Sequence, residues 1–181
     1  MTRSSRAFTL IEMLIVVALL GLAGALVIPS MSSVGALRVQ GALRTIVSDI
    51  TLAQSDAIAF QEKRAMVFDV PNNSYRLLAV NGSAIDPDTQ TMFDPTKSDG
   101  RYIVTLTNPS FGGSRITSVR MNGSNTNTTL IFDDMGTPII DAGSDQTSSG
   151  GVISVAGMDS AWDIVIDAFT GRVSVRRTAG N

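Results

Sequence analysis

The 181-residue chain contains no cysteine and no histidine. The first absence excludes a disulfide framework and thiolate metal ligation; the second removes the side chain that most often serves as neutral-pH acid, base or zinc ligand. An enzyme built from what remains would need paired acids, and no stretch offers a clear pair. A strong charge of either sign is lacking too, with 14 basic against 16 acidic side chains and a net charge of -2, so nothing global points to nucleic acid.

What the chain does have is one long hydrocarbon run, FTLIEMLIVVALLGLAGALVI, from Phe8 to Ile28, whose single charge is Glu12. As a helix rising ~1.5 Å per residue it would cover about 31 Å, which matches a hydrocarbon core of roughly 30 Å. Residues 1–7, MTRSSRA, hold Arg3 and Arg6 and no acid, so they are expected to stay cytoplasmic while the chain behind the span is exported. A cleaved secretory signal has the same polarity, and Ala23-Gly24-Ala25 offers a small-residue cut. A charge five residues into the apolar block argues against that reading. A lone carboxylate inside a span costs about 2.5 to 3.5 kcal/mol, so Glu12 calls for a partner.

Ala7-Phe8-Thr9-Leu10-Ile11-Glu12 and the run behind them resemble the N-terminus of type IV prepilins. The resemblance implies that a prepilin peptidase of the bacterial inner membrane removes residues 1–7 by cutting between Ala7 and Phe8. It implies further that the new amine of Phe8 is N-methylated, and that Glu12 pairs with that amine during assembly. An ammonium and a carboxylate would neutralise one another in lipid, where neither sits alone. The chain departs from the family at Ala7, where Gly is usual; Ala is the smallest substitute, and slower processing is the expected consequence. Pro29 falls where many pilins have a helix-bending proline. Loss of Arg3 and Arg6 with the leader would leave twelve basic against sixteen acidic side chains, a net charge of about -4.

Residues 29–62 change from lipid-like to amphipathic, with Leu43, Ile46, Val47, Ile50, Ala53, Ala57 and Phe60 on one stripe and Arg38, Arg44, Asp49, Asp56, Glu62 and Lys63 on the other faces. The spacing predicts a helix continuing out of the membrane through Pro29, its stripe packed on the C-terminal remainder of the chain; a separate helix after a loop at 29–35 is the alternative. From 63 to 181 the period becomes two. Met66 to Val70 and Tyr75 to Val80 flank the turn Pro71-Asn72-Asn73-Ser74 and read as a hairpin. Further strands are predicted at Tyr102–Leu106, Ile116–Met121, Thr129–Phe132, Val152–Val155, Trp162–Ile166 and Arg172–Arg176. Asn81 to Gly100 reads as a long surface loop suited to partner contacts.

Two predicted turns end in glycine, Asp133-Asp134-Met135-Gly136 and Ala168-Phe169-Thr170-Gly171. Leu52-Ala53-Gln54-Ser55-Asp56-Ala57-Ile58, Phe132-Asp133-Asp134-Met135-Gly136-Thr137-Pro138 and Gly171-Arg172-Val173 resemble the H-type minor pseudopilins of type II secretion and the related FimT-like minor pilins. That resemblance implies an α+β fold: a long N-terminal helix and a β-rich head of two small antiparallel sheets packed on the helix's C-terminal half. It implies a non-enzymatic structural subunit, single-pass in the inner membrane with its head in the periplasm. Its partners would be the peptidase and other pilin or pseudopilin subunits, and it calls for no cofactor. Another class remains as an alternative, a membrane-anchored enzyme or receptor.

Three constellations could carry chemistry. Asp86, Asp88, Asp94 and Asp99 could offer oxygen ligands to calcium, but their spacing fits no EF-hand, and exposed loop acids are usually solvated. Ser148-Ser149-Gly150-Gly151 lacks the lysine of a phosphate loop and reads as a flexible linker. Arg172, Arg176 and Arg177 form a weak footprint for DNA phosphates. Some FimT-like minor pilins bind DNA through a basic C-terminal strand beginning Gly-Arg; here Gly171-Arg172 matches only the start, and the net negative charge argues for a solvated strand end.

Overall fold

A computed structural model describes residues 8–157 and 160–179, with the side chains of 25–37 and 179 outside the description. The chain divides into two compact units, one ending at Val34 and one beginning at Gly35. One helix, α1 (Leu10–Phe60), contributes to both. Its backbone stays helical through Pro29, so no loop intervenes at 29–35.

In the first unit α1 begins at a cap. The hydroxyl of Thr9 accepts the N–H of Glu12 at 3.3 Å, and the acid lies in the first turn, where the helix dipole favours negative charge. The side chains described from Leu10 to Gly24 are all exposed. Among the described residues no helix is long and apolar enough to cross a membrane. The last four side chains of the run ending at Ile28 lie outside the description.

In the second unit α1 buries Val39, Ala42, Leu43, Ile46, Ile50, Ala53 and Ala57, at helical spacings of three and four. Val47 is half-buried and Phe60 is exposed, so the stripe ends one turn earlier than its periodicity suggests. The helix stops because Gln61 turns left-handed at φ 54°, letting the N–H of Glu62 reach back to the carbonyl of Ala57.

The rest of the unit forms two antiparallel sheets. The first contains β1 (Arg64–Asp69), β2 (Ser74–Ala79), β3 (Ile103–Thr105), β5 (Thr129–Phe132) and β6 (Pro138–Ile139), in the order β3-β2-β1-β5-β6. The second contains β4 (Arg115–Met121), β7 (Gly151–Ala156), β8 (Ala161–Ile166) and β9 (Val173–Ala179), in the order β4-β7-β8-β9. The helix stripe shares one core with Met66, Phe68, Tyr75, Leu77, Leu130 and Phe132 of the first sheet and Ile116, Val119, Ile153, Val155, Ile164 and Ile166 of the second. A smaller cluster of Ala65, Leu78, Val80, Ile131, Ile139 and Ala142 covers the other face of the first sheet. With both faces buried, β1 and β2 carry apolar residues in runs rather than in strict alternation.

One loop expectation is qualified and another changes. Residues 81–100 form a largely exposed loop, as expected, but one pinned at 90–92: the N–H of Met92 donates to Leu77, that of Ala79 to Gln90 and that of Tyr102 to Met92, so these residues run beside β2. The stretch 148–151 is no flexible linker. Ser148 is buried and donates to Asn122 Oδ1 at 2.6 Å, and the N–H of Ser149 shares the same acceptor.

Candidate assembly anchor and head surface

The N-terminal candidates lie together at the start of α1. Phe8 is 74% exposed, and Glu12, also exposed, follows one turn on, its N–H taken by Thr9. Thr9 and Glu12 have the Thr-x-x-Glu spacing of a capping box, and the half of it from the Glu12 N–H to the Thr9 hydroxyl is formed. Ala7 and the leader before it lie outside the described residues.

In the head, the three stretches behind the minor-pseudopilin resemblance meet at Gln54. Its Nε2 donates to the carbonyl of Gly136 in the β5–β6 turn and to that of Thr170 in the β8–β9 turn, both at 2.8 Å. One helix side chain thus ties a hairpin of each sheet. Each turn is fixed internally by an aspartate: Asp133 Oδ1 accepts from the N–H groups of Met135 and Thr137, and Asp167 Oδ1 from those of Phe169 and Thr170. The Thr170 N–H and hydroxyl, then the Phe169 N–H, hold the Asp167 carboxyl below the usual range, with Arg172 adding a weaker pull. Gly171 has φ 64°, and a Cβ there would come within 2.7 Å of Gln54 Nε2 and 2.8 Å of Phe132, so glycine is required by both conformation and space.

Of the polar groups placed on the solvent faces by periodicity, Asp49 is in fact buried and Asp56 is half-buried. Asp49 is 6% exposed and accepts from the Tyr75 hydroxyl at 2.6 Å and the Tyr102 hydroxyl at 2.9 Å. Burial raises the Asp49 pKa, the two hydroxyls oppose this, and both tyrosines are pushed up, chiefly by desolvation. Asp56 pairs with the buried Arg64, which also reaches Glu62 at 3.0 Å and stands over the Phe60 ring at 5.5 Å. The signals available in the sequence were two tyrosines inside predicted strands and an arginine just ahead of another.

The three arginines do not form one patch. Arg176 pairs with Asp163 at 3.0 Å on the sheet's outer face, while Arg177, one residue on, points to the other face and stands 5.8 Å from the Trp162 ring centroid. Arg172 precedes β9, in the turn beside Asp167. The loop acids are occupied with local turns: Asp86 accepts from Asp88 N–H and Thr89, Asp94 from Thr96, and Asp99 from Arg101 N–H. Asp88 pairs with Arg76 at 3.0 Å. Among the described residues no group of three or more acids is placed to hold a metal ion.

Residues 2–28 match the prokaryotic N-terminal methylation motif. A helix leading into a head of two antiparallel sheets is a pilin-like fold, and solved structures share it. A crystal structure of the minor pseudopilin EpsH from the type II secretion system of Vibrio cholerae is similar at a TM-score of 0.50, with 11% identity over 80% of this chain and 97% of that one. A second EpsH structure from the same system gives a TM-score of 0.48 and 12% identity, over 78% of this chain and 97% of that one. Comparison with curated proteins finds no match.

Proposed function

We propose that this chain is a minor pilin-like subunit of a type II secretion pseudopilus, made as a precursor and contributing to assembly of the filament or its tip. The observation that carries the reading is the joining of an N-terminal methylation motif to a pilin-like head in one chain. Residues 1–7 are the leader, 8–28 the membrane-spanning half of the helix, 29–62 its amphipathic half and 63–181 the periplasmic head. The peptidase cuts between Ala7 and Phe8 and the amine of Phe8 is methylated. In the assembled filament Glu12 faces that amine on a neighbour, so that a polar contact within hydrocarbon sets the axial register. The subunit works by packing and performs no chemistry of its own.

Glu12→Gln tests the assembly contact. Glutamine keeps the capping-box geometry at the helix start while removing the charge. Losing the charge also removes part of the cost of a lone charged side chain in the span, about 2.5 to 3.5 kcal/mol, so insertion is not hindered. The variant is therefore expected at an undiminished membrane level but with a several-fold drop in co-purification with the other pilin subunits. Equal co-purification at equal membrane level would remove Glu12 from the assembly contact.

A further inference from the structure

The two sheets have four edges, and the chain treats one of them differently. On the first sheet, β3 and β6 are only three and two residues long, and isolated bridges from Phe93 to Arg101 and from Ile139 to Thr147 continue beside them. On the second sheet, β4 is closed at both ends: the Asn73 side chain takes the Ile116 N–H at 2.8 Å and donates to the Ser114 carbonyl, and the Met121 N–H donates to Asn127. The remaining edge, β9, is seven residues long, has no Pro or Gly, and pairs among the described residues only with β8. Residues 174–178 are all exposed. An open edge of this length is a template for another strand.

Its chemistry can be read from the register. The N–H of Asp167 donates to the carbonyl of Arg172 at 3.0 Å, making these two a hydrogen-bonded pair. Alternation along the ladder then turns the backbone groups of Ser174 and Arg176 toward β8 and those of Val173, Val175 and Arg177 outward. Evenly spaced outward N–H and C=O groups fit an extended polypeptide and nothing smaller. The side chains narrow the choice. Val175, 43% exposed, wants an apolar neighbour; just past it Arg176, whose side chain is 64% exposed despite its ion pair, adds positive charge on the opposite face and Arg177, beside Trp162, on Val175's own face. A second copy paired antiparallel about Val175 would bring the two Arg176 side chains into diagonal proximity on one face, which disfavours self-pairing.

We propose that β9 is a docking edge that accepts an extended acidic segment of another polypeptide as a fifth strand of the second sheet. The incoming strand sets an apolar residue opposite Val175 and carboxylates opposite Arg176 and Arg177; main-chain hydrogen bonds supply the affinity and the alternate side chains the selectivity. This inference rests on the head alone and does not depend on which filament the subunit serves.

The test is amide hydrogen exchange on the full chain in detergent, with the acetylated, amidated peptide Glu-Glu-Val-Thr-Val-Glu as probe, written for antiparallel pairing. At saturation the amides of Val173, Val175 and Arg177 are expected to exchange about tenfold more slowly. The same peptide with lysine for glutamate is expected to do nothing. Val175→Pro removes an outward N–H without touching the ladder to β8, so it should abolish the protection while an unchanged melting temperature shows the sheet intact. Arg177→Glu, tested in parallel, should weaken binding of the acidic peptide. Absence of protection would overturn the proposal, as would equal protection by the lysine peptide. Protection that appears without peptide and rises with protein concentration would show that a second copy fills the edge. A DNA duplex that binds the strand when the peptide does not would assign the arginines to phosphate.

Discussion

Gln54 and Asp49 show how single helix residues organise the head. Gln54→Ala would remove two hydrogen bonds and leave two turn carbonyls to water; at about 0.5 to 1.5 kcal/mol each, a loss of about 1 to 3 kcal/mol is expected, seen as a drop of several degrees in melting temperature. An unchanged melt would mean the turns hold themselves through Asp133 and Asp167. For Asp49 the sign follows from burial. Its pKa is raised in the folded protein, so the folded state binds the proton more tightly than the unfolded one, and stability falls as pH rises from the ordinary carboxylate range through the raised value. Asp49→Asn has no such titration and can still accept from one tyrosine hydroxyl. The stability of the variant relative to the native protein should therefore increase as pH rises above the ordinary carboxylate range; a difference that stays constant as pH rises would contradict the assignment. Neither role follows from the periodicity of the helix. Periodicity placed Asp49 among the solvent-facing residues because it reports apolar faces and is blind to a carboxylate that enters the core with its own donors.

At the scale of elements, the second half of α1 is part of the core. Leu43, Ile46 and Ile50 are at most 5% exposed, and burying each is worth roughly 1.5 to 3 kcal/mol. Together they rival a net domain stability of about 5 to 15 kcal/mol. A chain beginning at Gly35 should therefore melt cooperatively, and one beginning at Lys63 should not. If both melt at the same temperature by circular dichroism, the helix does not hold the sheets. These elements were the readable part of the sequence: the helix stripe from its spacing, the first hairpin from Pro71-Asn72-Asn73-Ser74, and six further strands from alternation between turn residues. The short β6 was not readable, because Pro138-Ile139 is too brief to show a period and forms only through pairing with Ile131 and Phe132. The pinning of the loop 81–100 was not readable, because the backbone bonds of residues 90–92 to β2 leave no mark in composition.

The whole molecule consists of two units whose meaning is carried in different ways. The first carries its meaning in sequence, in the motif at residues 2–28, since an exposed apolar helix has little geometry to interpret. The second carries it in geometry, since stretches as far apart as Gln54, Gly136 and Thr170 acquire a common purpose only when folded together. The central claim is that the chain is a precursor cut ahead of its apolar helix and retained by that helix in the membrane. Intact-mass measurement of the full-length gene product extracted from membranes tests it most directly. The account predicts one mature species beginning at Phe8 and carrying a single methyl group; a chain still beginning at Met1, or one released into solution and beginning near Leu26, would contradict it.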